Sequence, residues 1–191
     1  MKKNTKNLVG IALFTAIVVV LQFLGTFIRF GPFAISLVLV PIVVGTALYG
    51  YKAGALLGLV FGITVLASGD ASLFLAVNPV GTVITVLLKG TLAGLCAGLI
   101  YKALEKKNKY LAVVSSAVVC PIVNTGLFLV GCSVFFMDTI RQWAEGAGFG
   151  SDVGKYMIVG LVGLNFVFEL AVNAVLSPVI LRLINIGKKS R

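Results

Sequence analysis

Histidine is absent from this 191-residue chain, acidic residues number only 6, and charged residues of all kinds make up 12%. Without imidazole there is no His-based metal motif and no His-centred triad, and the scattered acids form no carboxylate cluster for a divalent cation. Cysteine is scarce as well. Cys96, Cys120 and Cys132 lie inside apolar stretches, are odd in number and lack metal-ligand spacing, so they read as small buried hydrophobes. The chain also lacks a Walker A loop, a Gly-x-Ser-x-Gly elbow and the paired carboxylates that a membrane hydrolase uses. The expectation is a protein that is not an enzyme and takes no metal or cofactor, with any ATP hydrolysis carried by other chains.

What the chain has instead is apolar surface. Hydrophobic residues reach 59% and the mean hydropathy is +1.10, which leaves no segment able to fold as a soluble domain. The apolar residues fall into six stretches, 8–24, 35–49, 53–67, 79–101, 111–136 and 156–183, near or above the ~20 residues that cross a bilayer apart from the second and third. They predict an all-α, six-transmembrane-helix bundle, one integral membrane domain over 1–191. The basic start, Lys2, Lys3 and Lys6, has no small-x-small cleavage site after its apolar run and reads as a retained first span.

Charge predicts the orientation. Of the 16 Lys and Arg residues, Arg29, Arg141 and Lys155 fall in one set of alternate gaps, Lys89 falls inside a span, and the rest fall in the other set or at the ends. By the positive-inside rule both termini are then cytoplasmic, in a multi-pass protein of a cell membrane. The formal charge of +10 reports topology and contact with anionic lipid, not nucleic-acid binding.

Glycine is periodic. Gly50, Gly54, Gly58 and Gly62 recur every four residues, as do Gly90, Gly94 and Gly98, and in lipid such ladders bring helix backbones together. Ala12 and Ala16 form a shorter small-residue pair on the first span. Three outer segments lie between spans: 25–34 and 68–78 are expected to close as a lid over a ligand, and 137–155, with Trp143, Phe149, Gly146, Gly148 and Gly150, reads as an interfacial loop or a lid.

Polar residues within the spans are the candidates for a site. Lys89 lies about ten residues into the fourth span, roughly 15 Å deep at ~1.5 Å per residue, where an ionisable group costs ~2.5–3.5 kcal/mol or more unless it finds a partner. Glu169 on the sixth span is the charge at similar depth. A pair that merely braces the bundle is easily replaced by apolar packing, so a solute pocket is the favoured reading. Asn165, Glu169 and Asn173 share a helix face at i, i+4 and i+8, Asn124 and Thr125 add groups on the fifth span, and Asn78 stands before Pro79. Amides, one cation and one anion suit a small organic molecule with hydroxyl, amide or carboxylate groups. A proton-coupled secondary transporter using Lys89 and Glu169 as a relay is the alternative.

In these residues the chain resembles the substrate-binding S components of energy-coupling-factor (ECF) vitamin transporters. The resemblance spans nearly the whole length and rests on Ala12-x-x-x-Ala16, on the Gly-rich hairpin from Tyr49 to Gly62, and on Lys89-Gly-x-x-Ala-Gly-x-x-x-Gly98-x-x-Tyr101. The last span, Glu169-x-x-x-Asn173-x-x-x-x-Pro178, is similar to the pantothenate-type branch. The resemblance implies a high-affinity binding subunit of an importer of the ABC type for a vitamin. Pantothenate is the first choice and folate, riboflavin and lipoate are the others. It further implies a pocket at Asn78, Lys89, Asn124, Asn165, Glu169 and Asn173, closed by outer loops. Ala12 and Ala16 would dock on a membrane coupling subunit driven by two cytoplasmic ATPase subunits.

Overall fold

The computed structural model of the chain describes residues 3–27, 29–30, 33–34 and 37–189. Apart from one short strand pair, its regular structure is helical, as backbone placed in lipid requires when each segment must satisfy its own hydrogen bonds. The elements in order are α1 (Lys3–Gly25), β1 (Arg29–Phe30), β2 (Phe33–Ala34), α2 (Leu39–Tyr49), α3 (Tyr51–Ala67), α4 (Ser72–Val77), α5 (Pro79–Leu104), α6 (Lys109–Phe135), α7 (Met137–Gly146), α8 (Val153–Lys155), a π-helical turn (Tyr156–Leu161), α9 (Gly163–Val175) and α10 (Ser177–Lys189). The strands pair antiparallel, Arg29 with Ala34 and Phe30 with Phe33, within the segment expected as a first lid. Positions 28, 31 and 32 of that segment lie outside the described residues, as do 35 and 36 at the head of the expected second span.

Among the described residues, three helical segments are long and apolar enough to cross a membrane: Thr5–Gly25, Pro79–Leu104 and Lys109–Phe135. The bent pair Val153–Leu161 and Gly163–Val175 makes a fourth if counted as one span. Three expected spans differ from this picture; the third, α3, has 17 residues and falls among the shorter apolar helices. The second, α2, has 11 residues and nine of them are buried, which makes it a core helix wrapped by the others. At ~1.5 Å per residue it covers about 16 Å, half the hydrocarbon thickness. The sixth is broken twice. Its axis turns by 47° at Val162 after the π-helical turn, and a second break at Leu176 separates α9 from α10.

Capping explains two helix starts. Asn78 accepts a hydrogen bond from the Gly81 N–H through its side chain at 2.9 Å with Pro79 in the first turn, and Asn108 does the same for Leu111 N–H at 3.0 Å.

The glycine ladders mesh with each other. A Cβ on Gly58 would run into the Gly90 carbonyl and one on Gly90 into that of Gly58; Gly54 and Gly94 are related in the same way, and a Cβ on Gly62 would stand 2.9 Å from the Val86 carbonyl. α3 and α5 therefore meet backbone to backbone, where dispersion and Cα–H···O contacts replace the missing hydrophobic drive. Gly50, with φ +91°, makes the turn between α2 and α3 that aligns the ladders. On its other side α5 meets α6 through Ala93, Ala97, Ala112 and Ala117, with Ser116 donating its hydroxyl to the Ala97 carbonyl at 2.9 Å. A second core lies at the Asn78 end of the bundle. Phe74 of α4 is its hub, with Phe128, Phe136 and Trp143 edge-on at 5.4, 5.0 and 5.5 Å between ring centroids.

Candidate functional site

At the Asn78 end the helices part, and a cavity of about 740 Å³ opens among α3, α4, α5, α6 and α9, a volume that includes its open mouth. Three helices supply it with stripes at helical spacing. α5 contributes Thr82, Thr85, Val86 and Lys89; α6 contributes Asn124, Thr125 and Phe128; the π turn's exit and α9 contribute Val162, Asn165, Phe166 and Glu169. Phe61 and Val65 of α3 with Phe74 and Phe136 complete an apolar wall, and Asp70 and Ala71 come from the turn before α4. The mixture of apolar lining with a few polar groups is that of a small-molecule site.

Lys89, Asn124, Asn165 and Glu169 thus share one cavity. Two other candidates stand apart from its wall. Asn78 is spent on capping α5. Asn173 lies one turn beyond Glu169, donates Nδ2 to the Glu169 carbonyl at 2.8 Å, and its own carbonyl receives the Ser177 hydroxyl at 2.9 Å. For Asn78 the capping signal is already present in the sequence, in the Asn-Pro start of a helix. Asp70, Thr82, Thr85 and the rings of Phe74, Phe128 and Phe136 are additions to the expected set: Thr82 and Thr85 share the Lys89 face of α5 at helical spacing, a signal the sequence carries, whereas Asp70 and Phe74 reach the wall only through the packing of the α4 segment.

The polar groups face a cavity that leaves them unsatisfied. Asn124 Oδ1, Asn165 Oδ1 and Thr85 Oγ1 are buried without a hydrogen-bond partner, their residues 4%, 8% and 6% exposed. Native interiors rarely leave such groups unpaired, so each is a place where a ligand group gains a bond at little cost. Lys89 holds its ammonium 5.1 Å from the centroid of the Phe128 ring. The carboxylates of Glu169 and Asp70 line the same cavity. Among the described lining residues Lys89 is the one cation. Among the described residues no three His, Cys, Asp or Glu side chains gather as a metal site would need. Ala12 and Ala16 take no part in the cavity wall and are exposed on α1 beside Leu13 and Val20.

The model of the family described as ECF transporter, substrate-specific component, matches residues 6–181. The chain belongs to this family. The pantothenic acid transporter PanT of Lactococcus lactis subsp. cremoris is 28% identical to it over 198 residues, covering 94% of each chain. No solved structure matches it significantly. As a substrate-specific component, the chain is a membrane protein that binds a small-molecule substrate for an ECF transporter, and the cavity is the candidate place for that substrate.

Proposed function

We propose that this protein captures pantothenate at the outer face of a bacterial plasma membrane and delivers it to an ECF-type importer whose ATP hydrolysis takes place on two partner subunits. The observation that carries this reading is a cavity in which one cation, Lys89, faces the hydrogen-bonding atoms of Thr85, Asn124 and Asn165 that have no protein partner. Pantothenate has a carboxylate, an amide, two hydroxyls and a compact branched apolar centre. Its carboxylate would meet Lys89, its amide and hydroxyls the Asn and Thr groups, and its methyls the rings of Phe74, Phe128 and Phe136. Glu169 balances Lys89 when the cavity is empty. The relative from L. lactis supports this choice of vitamin over folate, riboflavin or lipoate.

In this reading the chain crosses the bilayer six times with both termini inside, the short α2–α3 hairpin and the broken last segment included, and the cavity opens outward. The 25–34 and 68–78 segments close over the bound vitamin and exclude water from its polar contacts. The exposed Ala12 and Ala16 face then meets the membrane coupling subunit, since small residues allow close approach of a partner helix.

Isothermal titration of the purified full chain with pantothenate, with mass spectrometry of whatever co-purifies, tests the proposal. Saturable one-to-one binding that weakens sharply in Lys89→Met is the expected result. No heat with pantothenate and a different vitamin in the purified protein would move the assignment to that vitamin. Uptake that needs no ATPase partner and collapses with the proton gradient would point to the secondary-transporter alternative.

A further inference from the structure

We infer that Asp70, positioned by Gln22 of α1, is the specificity-determining residue that reads the hydroxylated end of the substrate, while Lys89 holds the carboxylate at the other end. This rests on the anion-binding reading above. Asp70 belongs to the turn between α3 and α4, at the end of the bundle where α5 begins, and it lines the cavity. Lys89 lies about ten residues along α5, roughly 15 Å at ~1.5 Å per residue, with its side chain leaning back towards the helix start. The cavity therefore carries a carboxylate at the turn before α4 and, deeper along α5, the ammonium of Lys89 with the Glu169 carboxylate on the same wall. A substrate carboxylate is repelled by Asp70 and drawn to Lys89, whereas a hydroxyl donates to Asp70.

Gln22 supplies the independent observation. On α1, a helix with most of its surface exposed, Gln22 is only 2% exposed and donates Nε2 to Asp70 Oδ2 at 3.3 Å. An amide buried in an otherwise apolar span is costly unless it has a partner to hold, and here the partner is a cavity carboxylate. The Gly69 backbone, with φ +77°, forms the turn that presents that carboxylate. Since α1 also carries Ala12 and Ala16, the chain of contacts from substrate to Asp70 to Gln22 ends on the helix proposed to dock.

The test uses the full chain in detergent and three ligands: pantothenate, its analogue lacking both hydroxyls, and its primary amide, in which the carboxylate is replaced by an uncharged group. Wild type is expected to prefer pantothenate over the deoxygenated analogue by about 10- to 100-fold, as for loss of a hydrogen bond to a buried charge. In Asp70→Asn that preference should fall to about 3-fold or less while the preference for carboxylate over amide stays, and Gln22→Leu should lower the hydroxyl preference by an intermediate factor. Lys89→Met should do the reverse, removing the carboxylate preference. Should Asp70→Asn fail to fold, Gln22→Leu decides alone. A hydroxyl preference unchanged in the variants, absent in wild type, or lost only together with all binding overturns the inference while leaving the pantothenate assignment standing. If wild type binds none of the three, that assignment fails first and takes this one with it.

Discussion

The two halves of α5 are built for opposite purposes. From Val86 to Gly98 one face is a glycine ladder pressed against the backbone of α3, with no room for a methyl group; from Thr82 to Lys89 the neighbouring face opens on a cavity lined by threonine, lysine and asparagine. Close packing in the first half holds the helices so firmly that the second can splay and leave buried polar atoms unpaired. A site that is unsatisfied when empty needs such an anchor, because the ~1–3 kcal/mol cost of each unpaired group has to be offset elsewhere in the fold.

The comparison breaks first at the seam. Gly58→Leu or Gly90→Leu should abolish the folded state, at or beyond the ~3 kcal/mol top of the usual overpacking range, since backbone on both sides leaves nothing to move aside. Size-exclusion profile and thermal unfolding in detergent read this out, and a well-folded Gly58→Leu protein would mean that α3 and α5 do not meet as described. A similar change on the exposed side of α1 should behave differently. Ala12→Trp and Ala16→Trp are expected to abolish uptake by the assembled transporter and leave vitamin binding by the isolated chain intact; loss of both together would put these residues in the fold's own packing.

On the cavity side, Lys89→Met should weaken pantothenate binding by about 2–5 kcal/mol, the usual cost of leaving one member of a desolvated charge pair alone. The unfolding temperature should fall as well, since buried Glu169 loses its counter-charge. Full affinity in Lys89→Met combined with Glu169→Gln would remove both from the site. Asn124→Ala and Asn165→Ala should cost ~1–2 kcal/mol of binding each by titration calorimetry, with Asn173→Ala and Asn78→Ala acting on stability instead.

The smallest effect lies at the far end of α5, where Lys188 donates to Glu105 at 3.0 Å and to the Tyr101 hydroxyl at 3.3 Å. Burial works against the Lys188 charge, but these two hydrogen bonds outweigh it and raise the pKa above the ordinary 10.5. The stabilisation is thus complete below about 10.5 and is lost as pH rises through the higher folded value. Glu105→Gln should lower the unfolding temperature slightly at neutral pH, and the gap to wild type should close in strong alkali.

The seams and part of the site can be read from the residues. Ladders at every fourth position need only helical periodicity to become seams, and the Asn165–Glu169–Asn173 stripe needs only the same periodicity to share a face. The break in the sixth span cannot be read that way. Apolar residues run on through the π turn from Tyr156 to Leu161, and only the bend at Val162 shows where the helix re-aims Asn165 and Glu169. Asp70 and Phe74 belong to a segment, 68–78, that reads as a lid loop without showing which of its residues face the ligand. Their place on the cavity wall depends on distant partners, Gln22 at 48 positions from Asp70 and the Phe128 and Trp143 rings against Phe74.

Composition and periodicity alone establish the class of the protein: apolar runs that enter the bilayer and glycines spaced to pack them. These are local properties, set by residue content and by periods of three to four residues, and they survive without any knowledge of which helix lies beside which. The cavity is of another kind. It lies where α3, α4, α5, α6 and α9 come together, so its lining is chosen by which helices pack side by side and by a π turn, and long-range packing of that sort leaves no mark on neighbouring residues in the chain.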